Sequence, residues 1–198
     1  MKRLILFFLA SASLTLANAQ IQFGLKAGAN LANLSGSDAT GSKMNVGFHG
    51  GGLVAIPVFS GFSVQPELVY SGQGAKVTNV DGNFTLNSGY LNIPVLFKYN
   101  HPSGFFAELG PQLGFLLSAN VKSGGTTTNV KSSYQSTDFS GVIGLGYLMS
   151  SVNLGIDARY NMGFTNLEKS GTGGTGTVKN GVIQIGVFYL FGKGPNNK

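Results

Sequence analysis

Beyond residue 20 the chain alternates apolar and polar residues with a period of two. In residues 22–31, Phe23, Leu25, Ala27, Ala29 and Leu31 share one face, and Gln22, Gly24, Lys26, Gly28 and Asn30 the other. A strand points successive side chains to opposite faces, so this is a strand with one apolar side. Residues 62–70 repeat the pattern, with Phe62, Val64, Pro66, Leu68 and Tyr70 opposing Ser63, Gln65, Glu67 and Val69. Residues 152–164 carry it furthest, alternating Val152, Leu154, Ile156, Ala158, Tyr160, Met162 and Phe164 with polar residues and glycines. Turn-forming residues divide this region into eight predicted strands, at about 22–32, 45–58, 62–76, 87–99, 105–118, 136–149, 152–165 and 180–191.

The links between these strands alternate in length. Those after the second, fourth and sixth strands are short (Ser60-Gly61, Asn100 to Gly104, Ser150-Ser151), and the others are long and rich in Gly, Ser, Thr and Asn. In an up-and-down meander every tight turn then falls at one end, with both termini, and every long loop at the other. That is the asymmetry of an outer-membrane barrel, with short periplasmic turns and longer outer loops. The predicted fold is an all-β, eight-stranded antiparallel up-and-down transmembrane β-barrel.

Alternation alone does not say which face is inside. A lipocalin-like soluble barrel would hide the apolar face around a ligand, whereas a membrane barrel turns it to lipid. Three features favour the second. The apolar face is rich in large aromatics, many near strand ends (Phe48, Phe62, Tyr70, Phe97, Tyr99, Phe105). The opposite face is dominated by Gly, which suits a crowded interior. Its charges nearly cancel: Lys26, Lys98 and Arg159 against Glu67, Glu108, Asp138 and Asp157. Eight strands leave a lumen just wide enough for side chains, so these seven residues are expected to form a structural network of ion pairs and hydrogen bonds. If Asn100 to Gly104 is a turn, Lys98 falls near Phe106 with Glu108 diagonally across. Pro57, Pro66, Pro94 and Pro111 lie inside predicted strands although a closed barrel has no free edge, so bulges or displaced strand ends are expected there.

The first 20 residues break the pattern. A basic start (Lys2, Arg3), an apolar run from Leu4 to about Leu16 and the small-x-small Ala17-Asn18-Ala19 make residues 1–19 a predicted cleaved signal peptide. The barrel is then 20–192 and a periplasmic tail 193–198. Two of the 13 basic residues leave with the signal peptide, so the mature chain carries +4 rather than +6. Charged residues are 10% of the chain, well below the roughly 25% of soluble domains. With no Cys, disulfides, cysteine zinc sites, thiol catalysis and lipid anchoring through cysteine are excluded. The basic residues form no run that would suit nucleic acid.

Several segments bring a family resemblance: Gly24 to Asn30, Gln65 to Lys76, Tyr90 to Tyr99, Gly110-Pro111 and Ala158 to Phe164. In order along nearly the whole mature chain, they resemble the PorT-like outer-membrane β-barrel family. The resemblance implies a small integral barrel in a Gram-negative outer membrane and, through the family's namesake, an association with protein secretion.

Enzymatic readings fare poorly. His101-Pro102-Ser103 looks like the His-x-Ser of outer-membrane lipid A deacylases but falls in a tight periplasmic turn, away from the outer leaflet. His49 lacks a second His or a matched carboxylate on its strand and is read as lumen packing. Gly171 to Gly176 lacks the Gly-Lys-Ser/Thr ending of a phosphate loop. No catalytic residue, cofactor or metal is expected. At the long-loop end, Lys43, Lys76, Lys122, Lys131, Lys169 and Lys179 outnumber Asp38, Asp81 and Glu168, and are candidate contacts to phosphates of outer-leaflet lipid. The function expected is a structural or surface-interaction role for a monomeric barrel, tied to envelope function or secretion, with outer-membrane lipids and other envelope or secretion proteins as partners. The alternatives are a soluble lipocalin-like carrier and, behind it, a membrane lipid hydrolase.

Overall fold

The computed structural model describes residues 21–37, 41–79, 82–169 and 176–192. The predicted signal peptide, the 193–198 tail, Asp38, Asp81 and most of the Gly171 to Gly176 stretch lie outside the described residues. Among the described residues there are nine strands: β1 (Gln22–Ser35), β2 (Ser42–Phe59), β3 (Phe62–Asn79), β4 (Gly82–Asn100), β5 (Phe105–Ser123), β6 (Thr126–Asn129), β7 (Thr137–Met149), β8 (Leu154–Gly163) and β9 (Lys179–Phe191). Eight of them form the wall, each antiparallel to its neighbours in the order β1-β2-β3-β4-β5-β7-β8-β9. The ring closes where β9 pairs with β1, from Phe23–Phe191 to Ser35–Lys179. The β2–β3 turn is the two residues Ser60-Gly61, and Gly61 has φ +76°, a conformation that costs glycine little.

All eight predicted strands are found, but β2, β3, β4 and β5 run three to five residues further at the long-loop end than alternation predicted. These extensions mix Ser, Thr, Asn, Gly and Lys with apolar residues such as Phe84, Leu86 and Val121, so turn-forming residues read as loop where ladder pairing with the neighbours continues the strand. β6 is a correction of the same kind. Its four residues, Thr126 to Asn129, read as loop, yet they pair with Asn120 to Ser123 and lengthen the β5 hairpin. Val152, predicted to open β8, stands in the preceding turn.

The faces settle the choice between barrels. Phe23, Phe48, Phe105, Leu109, Leu145 and Phe164 are half or more exposed on the outside, while Lys26, Glu67, Lys98, Glu108, Asp157 and Arg159 are buried within. A soluble carrier needs the reverse, so the lipocalin-like reading is overturned. Aromatic rings band the short-turn end, with Phe59–Phe62, Phe62–Tyr99, Phe105–Tyr147 and Tyr189–Phe191 centroids 4.5–5.2 Å apart, as in the interfacial girdles of membrane barrels.

The prolines are accommodated by interruptions of the ladder. Strand register would bring Pro66 opposite Val54, Pro94 opposite Glu67 and Pro111 opposite Val95, and all three pairs are missing. On the other side each proline keeps its partner, Val95, Gln112 and Gly141 respectively. A strand residue donates its N–H to one neighbour, so one gap per proline suffices. Pro57 borders the register shift at the β2–β3 turn.

Apolar side chains pack together toward each end of the lumen. At the short-turn end Leu53, Phe106, Phe188 and Leu190 pack together with Leu148 beside them. At the long-loop end Tyr90, Leu116 and Ala119 are covered by Val130 and Tyr134. Glycines make room for the rings: a Cβ on Gly155 would lie 2.1 Å from the Phe188 ring, and one on Gly146 2.2 Å from Phe106.

Candidate functional site

Between the two apolar layers the polar faces converge. β8 contributes Arg159, whose Nη1 and Nη2 each lie 2.8 Å from an oxygen of Glu67 on β3. Its Nε is 2.5 Å from Glu108 Oε1 on β5, and Nη2 is 3.1 Å from Asp157 Oδ2. Lys26 on β1 bridges Asp157 at 3.0 Å and Glu67 at 3.5 Å. Lys98 on β4 lies 4.0 Å from Glu108 and 3.4 Å from Gln65 Oε1, with its ammonium 3.5 Å from the Phe106 ring centroid. Strand register corrects one expectation: Lys98 faces Glu108 directly, and Asn100 takes the place opposite Phe106.

Six of the seven predicted lumen residues thus form one cluster of three cations and three anions, all at least 95% buried. That balance matters, since an uncompensated charge there would cost several kcal/mol. Asp138 stands apart. Its carboxylate accepts from Asn180 Nδ2 at 2.8 Å, and it forms no ion pair among the described residues.

Above the cluster lies an amide hub that the sequence had placed on the right face without revealing its partners. Asn30 donates to Gly72 O at 2.8 Å, to Ser71 Oγ at 3.0 Å and to Phe48 O at 3.2 Å. These carbonyls flank the register shift between Met44 and His49 in β2, so the side chain supplies donors where the ladder is broken. Asn30 Oδ1 accepts from Gln184 Nε2 at 3.1 Å and lies 2.7 Å from His49 Nδ1. His49 is therefore a buried member of a hydrogen-bond network, as its lumen-packing reading expected. His101 sits in the exposed β4–β5 turn, with Nδ1 2.6 Å from Ser103 Oγ.

Residues 12–169 match the family described as outer membrane protein beta-barrel domain. The chain belongs to this family. Among solved structures this outer membrane beta-barrel chain is similar to Neisserial surface protein A, at 20% identity and a TM-score of 0.54 over 84% of this chain and 96% of that one. It also matches Ail, the attachment invasion locus protein of Yersinia pestis, solved in complex with the heparin analogue sucrose octasulfate, at 17% identity and a TM-score of 0.49 over 86% and 99% of the two chains. At these identities the likeness to the Neisserial protein is one of fold. Comparison with curated proteins gives no match.

The outer membrane beta-barrel wall extends at its long-loop end into a rim where described loop segments are joined. Tyr134 bridges Glu168, Gln135 N–H donates to Leu167 O at 2.7 Å, and Leu167 N–H to Val178 O at 2.8 Å, joining the β5–β7 and β8–β9 loops over Leu167 and Val178, both buried. Burial, with the Glu168 carboxylate adding to it, pushes the Tyr134 phenol up and keeps it neutral. Of the six predicted rim lysines, Lys43, Lys76, Lys122, Lys131 and Lys169 are exposed and Lys179 is half-buried. Lys43 and Lys76 are direct partners, and Thr85 between β3 and β5 links Lys76 to Lys122, placing three lysines along one row. Lys169 Nζ donates to Ser132 O at 2.8 Å and helps hold the loops together.

Proposed function

We propose that this protein is a closed, non-conducting outer-membrane post that acts through its outer surface, in envelope structure or surface interaction, and has no enzymatic activity. The observation that carries this reading is the filled lumen: six buried charges bridging five strands, with apolar side chains packed together toward both ends. Moving an ion through it would require breaking the cluster, at several kcal/mol. His49 is sealed inside, beyond the reach of a lipid substrate, which argues against the hydrolase reading. What remains available to partners is the lipid-facing wall and the rim.

The chain is exported through a signal peptide cleaved after Ala19 and sits with its short turns in the periplasm. Lys43, Lys76, Lys122, Lys131, Lys169 and Lys179 contact phosphate groups of outer-leaflet lipid, and the row on β2, β3 and β5 sets three of them, Lys43, Lys76 and Lys122, side by side. The PorT-like resemblance supports placing this role in envelope maintenance or protein secretion, among other envelope proteins. The test has two parts. Purified barrel in planar bilayers is expected to give no unitary currents; regular steps would overturn the closed-post reading. Replacing the six lysines by Gln is expected to weaken retention of phosphate-bearing outer-leaflet lipid and to sensitise the envelope to detergents, while unchanged retention would remove the lysine contacts.

A further inference from the structure

The apolar wall is not evenly filled. Near the short-turn end a groove of about 550 Å³ is cut into its outer surface, within the range of about 300–1,000 Å³ common for small-molecule sites. Ala107, Leu145 and Ala158 are consecutive partners across β5, β7 and β8. On β5 the outward neighbours of Ala107 are Phe105 and Leu109, and on β8 those of Ala158 are Ile156 and Tyr160. The two alanines flank the outward Leu145 and leave the wall lower on either side of it than at the surrounding large side chains. Phe105 and Tyr147, with rings edge-to-face at 5.0 Å, wall the groove together with Tyr99 and Ile156.

His101 stands at the turn edge of this groove. Its Nδ1 accepts the backbone N–H of Ser103 at 3.2 Å. With Nδ1 engaged by Ser103, Nε2 is the ring atom left to meet a ligand. The groove thus has an apolar trough with hydrogen-bonding groups at its turn end, the His101 ring and the Tyr99 and Tyr147 hydroxyls. The matching ligand is amphipathic, a hydrocarbon chain ending in an acceptor oxygen.

We propose that this groove holds one acyl chain of a glycerophospholipid of the periplasmic leaflet, with an ester or phosphate oxygen accepting from His101 Nε2. The occupant follows from position: the groove is continuous with the exposed apolar belt, which the bilayer covers, and Tyr99 and Tyr147 belong to the aromatic band at the level where chains meet headgroups. The proposal rests on the membrane orientation given under the proposed function.

The test places the full-length mature chain in nanodiscs of phosphatidylethanolamine and phosphatidylglycerol carrying a trace of phosphatidylethanolamine with a diazirine in one acyl chain. After photolysis, labelled peptides are mapped. Label is expected to concentrate around Ala107, Leu145 and Ala158 over the opposite wall near Val46 and Leu68. Ala158→Phe is expected to bring it down to the level of that wall, and His101→Ala to lower it roughly fivefold, the worth of one hydrogen bond. Ala107→Leu serves as the second filling variant if Ala158→Phe fails to give a heat-modifiable barrel. Uniform label around the wall, or crosslinks between two copies through this face, would overturn the proposal. Absence of label from every strand would overturn the membrane-spanning reading of the wall itself, an outcome distinct from uniform labelling.

Discussion

Arg159 and Glu67 face each other across the lumen from β8 and β3, joined by two parallel hydrogen bonds of 2.8 Å. Strand pairing holds adjacent strands together, whereas this contact ties opposite walls. Truncation by Arg159→Ala would leave three buried carboxylates against two lysines. Loss of one partner of a buried pair costs about 3–5 kcal/mol, and urea unfolding in lipid vesicles, read by heat-modified gel mobility, is expected to show a loss of that size. Arg159→Lys keeps the charge without the fork and is expected to fall in between. The double change Arg159→Met with Glu67→Met restores a balance of two cations and two anions and should recover much of the loss; a double variant as unstable as the single one would count against the pairing.

The contact between Gly155 and Phe188 makes a second expectation. A Cβ at 2.1 Å from the ring cannot be tolerated without moving it, so Gly155→Ala is expected to destabilise the barrel by about 1–3 kcal/mol. In a Phe188→Ala background the same change should cost far less. A double-mutant cycle with no coupling would mean that the ring does not occupy this space.

For the prolines, the missing pairs at Val54–Pro66, Glu67–Pro94 and Val95–Pro111 predict that Pro→Ala at 66, 94 or 111 shifts stability little, by about 1 kcal/mol or less, since no ladder bond is lost. Ile143→Pro, at a position paired on both sides with Leu109 and Tyr160, is expected to impair folding severely. Refolding yields measured side by side decide this.

The locked outer loops give a prediction readable by protease. Leu167 is 2% exposed beneath the Tyr134–Glu168 bridge, and Leu167→Asp would place a carboxylate in that apolar layer. Trypsin is then expected to cut at Lys131 and Lys169 many times faster than in the parent protein, leaving the strands intact. Equal cleavage rates would show that the loops are not held through Leu167.

Much of this arrangement is legible in the sequence, for a definite reason. A period of two assigns each residue to a face without knowledge of its partners, so Lys26, Glu67, Lys98, Glu108, Asp157 and Arg159 could be placed together in the lumen from residue type and parity alone. Parity does not give register, and the diagonal placement of Glu108 from Lys98 failed for that reason. β6 left no signal because Thr126 to Asn129 bury nothing. The loop cover was hidden as well, since Tyr134, Leu167 and Val178 meet only after separate hairpins have been brought side by side. The groove of Ala107 and Ala158 is written in the sequence as two small residues among large ones, but its depth depends on strands whose alignment must be known.

The closing seam between β1 and β9 has a consequence for how the molecule is made. Thirteen residue pairs join Phe23 to Ser35 with Lys179 to Phe191, and Lys26 reaches its partner Asp157 from 131 positions away. The first strand synthesised waits for the last, so no partial product of translation or translocation can complete the wall. With contacts of such long range, assembly should be slow and cooperative, and a chain truncated before Lys179 is expected to persist as an unfolded species for periplasmic proteases to remove rather than as a smaller barrel.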